Sequence, residues 1–329
     1  MTALVFQALR SLADGHFHSG VEVARALGRS RATLCEALKR APELGVEIFR
    51  VRGRGYRLVE KIEFLDAERI ARAAGKNARM RVEVVDEIDS TSSALMLRGI
   101  AGAPSGLCLA AEWQAAGRGR RGRSWIASVG GSLTFSVLWR FERGAGHLAG
   151  LSLAVGAAVA NALAEAGVTG ARVKWPNDVV VDLRKIAGIL VETSGEMQGP
   201  SLAVIGIGVN YRLGERVLER IDQPVIDVAQ CVDPLPSRNA LLGLILARLA
   251  TALADFEQRG FAGARERWRA LHAYQGRAVR VLPASQPPFD AEVVDVAPDG
   301  ALLVATPKGV VALTSAEISL RAAATKAAA

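Results

Sequence analysis

The sequence predicts an α+β chain of three consecutive units, on three observations. The hydrophobic period changes twice along the chain, turn residues cluster where it changes, and the excess positive charge sits in two places instead of being spread. Residues 1–61 combine helical-period apolar positions with two short β-patterned runs, residues 66–274 alternate strands and helices in the manner of a mixed sheet, and residues 275–322 hold only short β runs. Residues 323–329 read as a disordered tail.

The first unit begins with Leu4, Val5, Ala8, Leu9 and Leu12 on one helical face, ending at Asp14-Gly15. Val21, Val23, Ala24 and Leu27 make a second short helix stopped by Gly28, and Ser30 caps a third that buries Leu34, Ala37 and Leu38. After Gly45, the runs Val46 to Val51 and Tyr56 to Val59 are joined by Arg52-Gly53-Arg54-Gly55. Three helices and a hairpin make a winged helix-turn-helix pattern. Ser30, Arg31 and Thr33 at the helix start, with Arg52 and Arg54 in the wing, are the candidate phosphate contacts. A winged helix used only for protein contacts fits the same pattern.

Lys61 to Asp66 reads as a linker. Beyond it come a helix to Ala74, strands Met80 to Ile88, Leu107 to Trp113 and Ser132 to Trp139, and a Ser90-capped helix after the first strand. A long Ala/Leu-rich helix is expected from His147 to Glu165, then strands at Ala171 to Trp175, Val179 to Val181, Ala187 to Thr193 and Leu202 to Val209. Residues 210–236 show little periodicity and read as a mobile excursion; helices over 237–257 and 260–273 follow. The last unit has β runs at Ala278 to Leu282, Ala291 to Val296, Ala301 to Thr306 and Val310 to Leu313, a small β-barrel pattern.

With 329 residues, 50% of them hydrophobic, the chain can bury a sizeable core. Uninterrupted apolar runs stay shorter than about 18 residues, and Met1 to Gly20 carries Arg10, Asp14, His16 and His18 in place of a signal-peptide core. A cytoplasmic protein with no membrane partner is expected. Cys35, Cys108 and Cys231 are scattered and odd in number, which argues for a reducing compartment and against a disulfide framework. The four histidines lack the spacing of a structural zinc site.

The net charge is +8, yet residues 1–60 hold ten Lys/Arg against six Asp/Glu and one loop holds four arginines, so the remainder balances. Two separate anionic partners are implied, one for each site. The loop is Gly117-Arg118-Gly119-Arg120-Arg121-Gly122-Arg123, closed by Ser124-Trp125. Glycines let backbone N–H groups approach a ligand and arginines offer forks of donors to carboxylate or phosphate, so the loop suits an anion. A solvated basic patch would look the same.

A second polar group is Lys174-Trp175-Pro176-Asn177-Asp178, where proline turns a strand end into a loop. Asn177 and Asp178 are oxygen ligands of the kind Mg²⁺ takes alongside phosphate, or members of a metal-free Asx turn. Lys185 follows just before a buried strand.

Taken together, Asp89-Ser90-Thr91, the Gly-Arg loop, Lys174 to Asp178, Arg184-Lys185-Ile186-Ala187-Gly188-Ile189-Leu190 and Gly206-Ile207-Gly208-Val209-Asn210 resemble, in order and spacing, the biotin protein ligases. Phe17-His18-Ser19-Gly20 with Ser30-Arg31 resembles the DNA-binding domain of the bifunctional subclass, the biotin operon repressors; Glu317-Ile318-Ser319-Leu320-Arg321 resembles the end of the family's C-terminal domain. The resemblance implies a winged helix-turn-helix, a class II synthetase-like catalytic domain and an SH3-like β-barrel. It implies a ligase that uses Mg²⁺, biotin and ATP to form biotinyl-5′-AMP and then biotinylates a lysine of the biotin carboxyl carrier protein of acetyl-CoA carboxylase. A homodimer on operator DNA, repressing biotin synthesis genes, is implied as well.

By the same resemblance, Ser90, Thr91, Gln114, Gly117, Arg118 and Gly188 line the biotin site, and Arg120 and Lys185 meet its carboxylate and the α-phosphate. Lys174, Asn177 and Asp178 position ATP and Mg²⁺, with Arg118, Arg121 and Asn210 assisting. One departure stands out. The bifunctional relatives stack an aromatic residue on the adenine from the segment after Gly-x-Gly-x-Asn, whereas residues 211–236 here hold only Tyr211, so that either Val225 and Ile226 supply an aliphatic lid or Tyr211 moves. Three competing readings are a monofunctional ligase, a lipoate or other acyl-acid ligase, and a ligand-sensing transcription factor without catalysis.

Overall fold

The computed structural model describes residues 2–196, 198–283, 287–314 and 318–322; the tail expected at 323–329 lies outside them. Helices α1 (Thr2–Ser11), α2 (Gly20–Ala26) and α3 (Arg31–Leu38) open the chain. Ser30 caps α3 by accepting from the Thr33 N–H at 3.1 Å, so the helix starts where the sequence marks it. Leu34 and Leu38, one turn apart, bury against Val5, Leu9 and Leu12, each burial contributing roughly 1.5–3 kcal/mol. Strands β1 (Ile48–Val51) and β2 (Gly55–Leu58) pair antiparallel. Gly55 has φ +100° and a side chain there would collide with the His18 carbonyl, so only glycine closes this turn.

The central unit runs α4 (Ala67–Ala74), β3 (Arg81–Ile88), α5 (Thr91–Ile100), β4 (Leu107–Gln114), β5 (Ser132–Phe141), α6 (Leu151–Glu165), β6 (Arg172–Lys174), β7 (Asp178–Val181), β8 (Arg184–Gly195) and β9 (Ser201–Asn210). Its seven-stranded sheet has the order β3-β4-β5-β9-β8-β7-β6, with β3 and β4 parallel and the other neighbours antiparallel. Alternation along β4 explains the layers: Leu107 and Leu109 face Leu95 of α5, while Cys108 and Ala110 join the larger core that α6 covers. Burial pushes the Cys108 thiol far up, so it stays protonated. The helix expected from His147 begins only at Leu151, because Gly150 turns left-handed at φ +79° and Ala145–Leu148 forms a separate 3-10 turn. Lys185 lies inside β8, not ahead of it.

Beyond β9 come the short α7 (Glu215–Leu218), the long α8 (Arg238–Arg259) and α9 (Ala262–Leu271). Ala145–Glu165 and Arg238–Arg259 are long and apolar enough to cross a bilayer by composition, but α6 and α8 pack on each other against the sheet. The excursion at 210–236 is tied down more than its composition suggests. Buried Asp227 accepts from Leu213 N–H at 2.8 Å and Gln230 N–H at 2.9 Å, and Tyr211 donates its hydroxyl to Pro236 O at 2.6 Å. Five strands, β10 (Ala278–Pro283), β11 (Phe289–Val296), β12 (Leu302–Thr306), β13 (Gly309–Leu313) and β14 (Ile318–Ala322), close the chain as an antiparallel sheet of order β13-β12-β11-β10-β14.

The three units are fastened at their seams. In the linker, Glu63 accepts from Ser237 Oγ at 2.8 Å, Arg238 N–H at 2.7 Å and Asn239 Nδ2 at 3.0 Å. Burial opposes its ionisation, but those donors and Arg69 hold the Glu63 carboxyl below its usual range. Val129 of the central unit sits in the core of the first unit and donates its N–H to Leu44 O at 3.0 Å. At the other seam, Trp175 donates its indole N–H to Gly300 O at 3.0 Å.

Candidate active site

A cavity of about 510 Å³ opens on the sheet face beside α5, roofed by the Gly-Arg loop. Its floor is made by glycines. A side chain at Gly208 would collide with the Trp125 indole, one at Gly206 would meet Ser92 Oγ at 2.5 Å, and one at Gly188 would meet Lys185 Cε at 2.9 Å. The Gly-x-Gly-x-Asn spacing therefore has a physical reason: alternate positions of β9 face the cavity and must be empty for Trp125 to lie across the sheet.

One end of the cavity is a network of buried hydroxyls. Gln114 Oε1 accepts from Thr91 N–H at 2.8 Å and Thr91 Oγ1 at 3.0 Å; Ser136 Oγ lies 2.7 Å from Thr91 Oγ1 and 2.9 Å from Ser92 Oγ. Ser90, which caps α5, borders the same end. Such a network offers donors and acceptors to a polar ring and holds each group in place. Ser92 and Ser136 were not singled out from sequence, although Thr134 and Ser136 at alternate positions of an otherwise apolar strand were a usable signal.

The middle is cationic. Lys185 Nζ lies 2.8 Å from Asp178 Oδ1 and 5.5 Å from the Trp125 ring centroid, with Lys185 and Asp178 both mostly buried. Arg120 reaches Asn177 Oδ1 at 3.2 Å, and burial followed by the neighbouring Arg121 charge pulls its guanidinium below its usual pKa range. Asn177 in turn donates to Ile189 O at 2.9 Å. Lys174 sits over the Tyr274 ring at 5.9 Å. Arg118 is turned outward, bound by both oxygens of Glu192 at 2.8 and 2.6 Å, and Arg121 has its backbone in the left-handed region at φ +58°.

The sequence-predicted residues thus divide. Ser90, Thr91, Gln114, Arg118, Arg120, Arg121, Lys174, Asn177, Asp178, Lys185 and Gly188 all border the cavity. Gly117, Asn210, Val225 and Ile226 do not. Gly117 O closes the loop by accepting from Trp125 N–H at 2.9 Å, and Asn210 donates to Lys185 O and Ile226 O, both at 3.1 Å. The Ile226 side chain is turned into the core, and the excursion reaches the cavity through Asp222, Gln223 and Pro224 instead. Ser30, Arg31, Thr33, Arg52 and Arg54 are each exposed on the first unit, where Arg54 stacks on Phe17 at 4.2 Å and Arg57 lies 4.9 Å from the Phe49 ring centroid.

For a metal, the described residues include no cluster of three or more His, Cys, Asp or Glu. Asp178 and Asp222 are the carboxylates that line the cavity among the described residues, and Lys185 pairs with Asp178.

Comparison with known proteins gives a consistent result. The model of the biotin/lipoate A/B protein ligase family matches residues 84–210, and that of the biotin protein ligase C-terminal domain matches residues 274–321. The chain is 37% identical, over 98% of its length and 99% of the relative's, to the bifunctional ligase/repressor BirA of Salmonella typhimurium. It is 34% identical, over 70% of its length, to the biotin--[acetyl-CoA-carboxylase] ligase of Paracoccus denitrificans. Among solved structures, the biotin protein ligase of Aquifex aeolicus in complex with biotin and ATP is similar at 27% identity and a TM-score of 0.63, covering 74% of this chain and 99% of that one.

Proposed function

Because the chain belongs to the biotin protein ligase family, we propose that the loop-roofed cavity is where biotin and ATP meet. The protein is a biotin ligase of the bifunctional ligase/repressor type. The observation that carries the assignment of the cavity is its polarity: a buried hydroxyl network at one end and Lys185 with Arg120 in the middle. A ureido ring needs both donors and acceptors, which Thr91, Ser136 and Gln114 supply, and a carboxylate with a neighbouring phosphate needs cations, which Lys185 and Arg120 supply.

The reaction follows from that order. A biotin carboxylate oxygen attacks the α-phosphorus of ATP, a new P–O bond forms, and pyrophosphate leaves with the electron pair of the broken bond. Lys185 holds the attacking carboxylate and neutralises charge that grows on the phosphoryl oxygens, and Arg120, held by Asn177, does so from the loop side. An uncharged lysine amine of the carrier then attacks the acyl carbon of biotinyl-5′-AMP; an amide forms, AMP departs and the amine loses a proton. Neither step requires a covalent enzyme intermediate. Magnesium would fit as a passenger of ATP phosphates with Asp178 as a protein carboxylate to hold it, and when bound it would supply charge neutralisation to the leaving group.

The partners follow the same reading: the biotin carboxyl carrier protein of acetyl-CoA carboxylase as acceptor, operator DNA, and a second copy of the chain, all in the cytoplasm. The first unit is read as a winged helix-turn-helix, the second as class II synthetase-like and the last as an SH3-like barrel. A dimer presents two winged helices to two half-sites.

Labelled biotin, Mg·ATP and an apo carrier protein test the ligase: labelled carrier and released pyrophosphate are expected, and absence of both overturns it. Binding to the protein's own biotin-operon promoter tests the repressor. Affinity should rise with biotin plus ATP and fall steeply with salt; a response flat to both leaves a monofunctional ligase.

A further inference from the structure

The turn between β7 and β8, just ahead of Lys185, borders the cavity. Asp182 (φ +48°) and Leu183 (φ +62°) occupy its two central positions, both left-handed. Such a turn favours glycine or asparagine, and leucine is among the residues it suits least. Core packing gives no reason for it, since Leu183 is 37% exposed and joins none of the hydrophobic clusters. Its side chain lines the cavity instead, with Val180 and Pro224. Of the large apolar side chains exposed among the described residues, Leu183 alone does so.

Pro224 is held by backbone pairing. Lys185 N–H donates to Pro224 O at 2.9 Å and Ile226 N–H donates to Lys185 O at 3.0 Å, so this stretch of the excursion runs parallel to the start of β8. Leu183, Val180 and Pro224 thereby give one cavity an aliphatic lining beside the lysine assigned to the α-phosphate. Tyr274, one of the aromatic residues lining the cavity, is buried with the Lys174 ammonium against its ring, which leaves it less open to a ligand.

We propose that Leu183 grips the adenine base of ATP and of the adenylate, in a slot formed with Val180 and Pro224. The inference rests on the ligase reading above. A purine presents two flat, weakly polar faces, and burying one against aliphatic carbons stabilises it without any aromatic stack. The disfavoured backbone at Leu183 then has a use: it aims the side chain at the ligand and away from the core.

Steady-state kinetics of Leu183→Gly and Leu183→Met test the slot. Leu183→Gly should raise the KM for ATP about tenfold, leave the KM for biotin within about a factor of two, and not lower the melting temperature, because glycine relaxes the turn. Leu183→Met should keep the KM for ATP near the wild-type value. An unchanged KM for ATP in Leu183→Gly, or equal rises in both KM values with a lower melting temperature, overturns the slot alone. Failure of the wild type to form biotinyl-AMP overturns the ligase reading and the slot with it.

Discussion

Glu112 and Arg238 form an ion pair at 3.0 Å with side chains 0% and 1% exposed, where the linker meets the sheet. Both charges are further occupied: Glu112 accepts from Leu65 N–H, and Arg238 donates to Ser132 O at 2.8 Å and Glu63 O at 2.5 Å. Removing one partner strands the other charge in a dry interior. Arg238→Met is expected to cost about 3–5 kcal/mol of stability, read by urea unfolding. The double variant Glu112→Leu with Arg238→Met should recover much of that loss, and a double variant as unstable as the single would disprove the account.

The proposed adenylation puts Lys185 beside the charge that develops on the phosphoryl group. Lys185→Gln should lower the rate of biotin-dependent pyrophosphate release by about a hundredfold. The hydroxyl network at the far end should hold biotin in the variant, so calorimetry with biotin alone is expected to detect binding. Full activity in the variant would remove Lys185 from the chemistry.

His272 is 6% exposed, stacks on Trp268 at 4.3 Å between centroids, and is pushed by burial from 6.5 down to about 4. The folded ring thus stays neutral while the unfolded chain takes up its proton near the ordinary value. Stability is full above pH 6.5 and declines as pH drops towards 4, by roughly 3 kcal/mol in all. His272→Phe keeps a stacking ring without the titration and should flatten that part of the pH profile measured by thermal unfolding; an unflattened profile would assign the dependence elsewhere.

Arg118 and Glu192 tether the loop to β8, but both are partly exposed, at 44% and 28%. Their pair should contribute less than about 1 kcal/mol to global stability. Its effect is local. Glu192→Gln is expected to leave the melting temperature nearly unchanged and to speed tryptic cleavage after Arg118, Arg120, Arg121 and Arg123 severalfold. Equal cleavage rates in the two proteins would show that the roof is held by other contacts.

What the sequence made legible was local. The face formed by Leu4, Leu9 and Leu12, the Ser30 cap and the Gly-Arg loop each depend on neighbours a few residues away, and each is where its pattern placed it. Contacts between distant segments left no such trace. Glu112 and Arg238 are 126 positions apart and Arg118 and Glu192 are 74 apart, so neither pair announces itself in a local window. The lid assigned to Val225 and Ile226 failed to reach the cavity for a related reason: a strand-like pairing with Lys185, invisible in composition, turns Ile226 inward. Leu183 was missed because turn chemistry argues against a leucine there, and its conformation is evident only in the folded backbone.

The glycine floor sets a direction for changes in substrate range. Positions 188, 206 and 208 already carry the smallest residue there is, so every substitution at them can only narrow the chamber, through Lys185, Ser92 or Trp125. If biotin sits as proposed, analogues with bulkier rings must find their room elsewhere, at the hydroxyl-bearing walls of Thr91, Ser92 and Ser136. Shrinking those walls also removes hydrogen bonds, so breadth gained there comes with weaker discrimination.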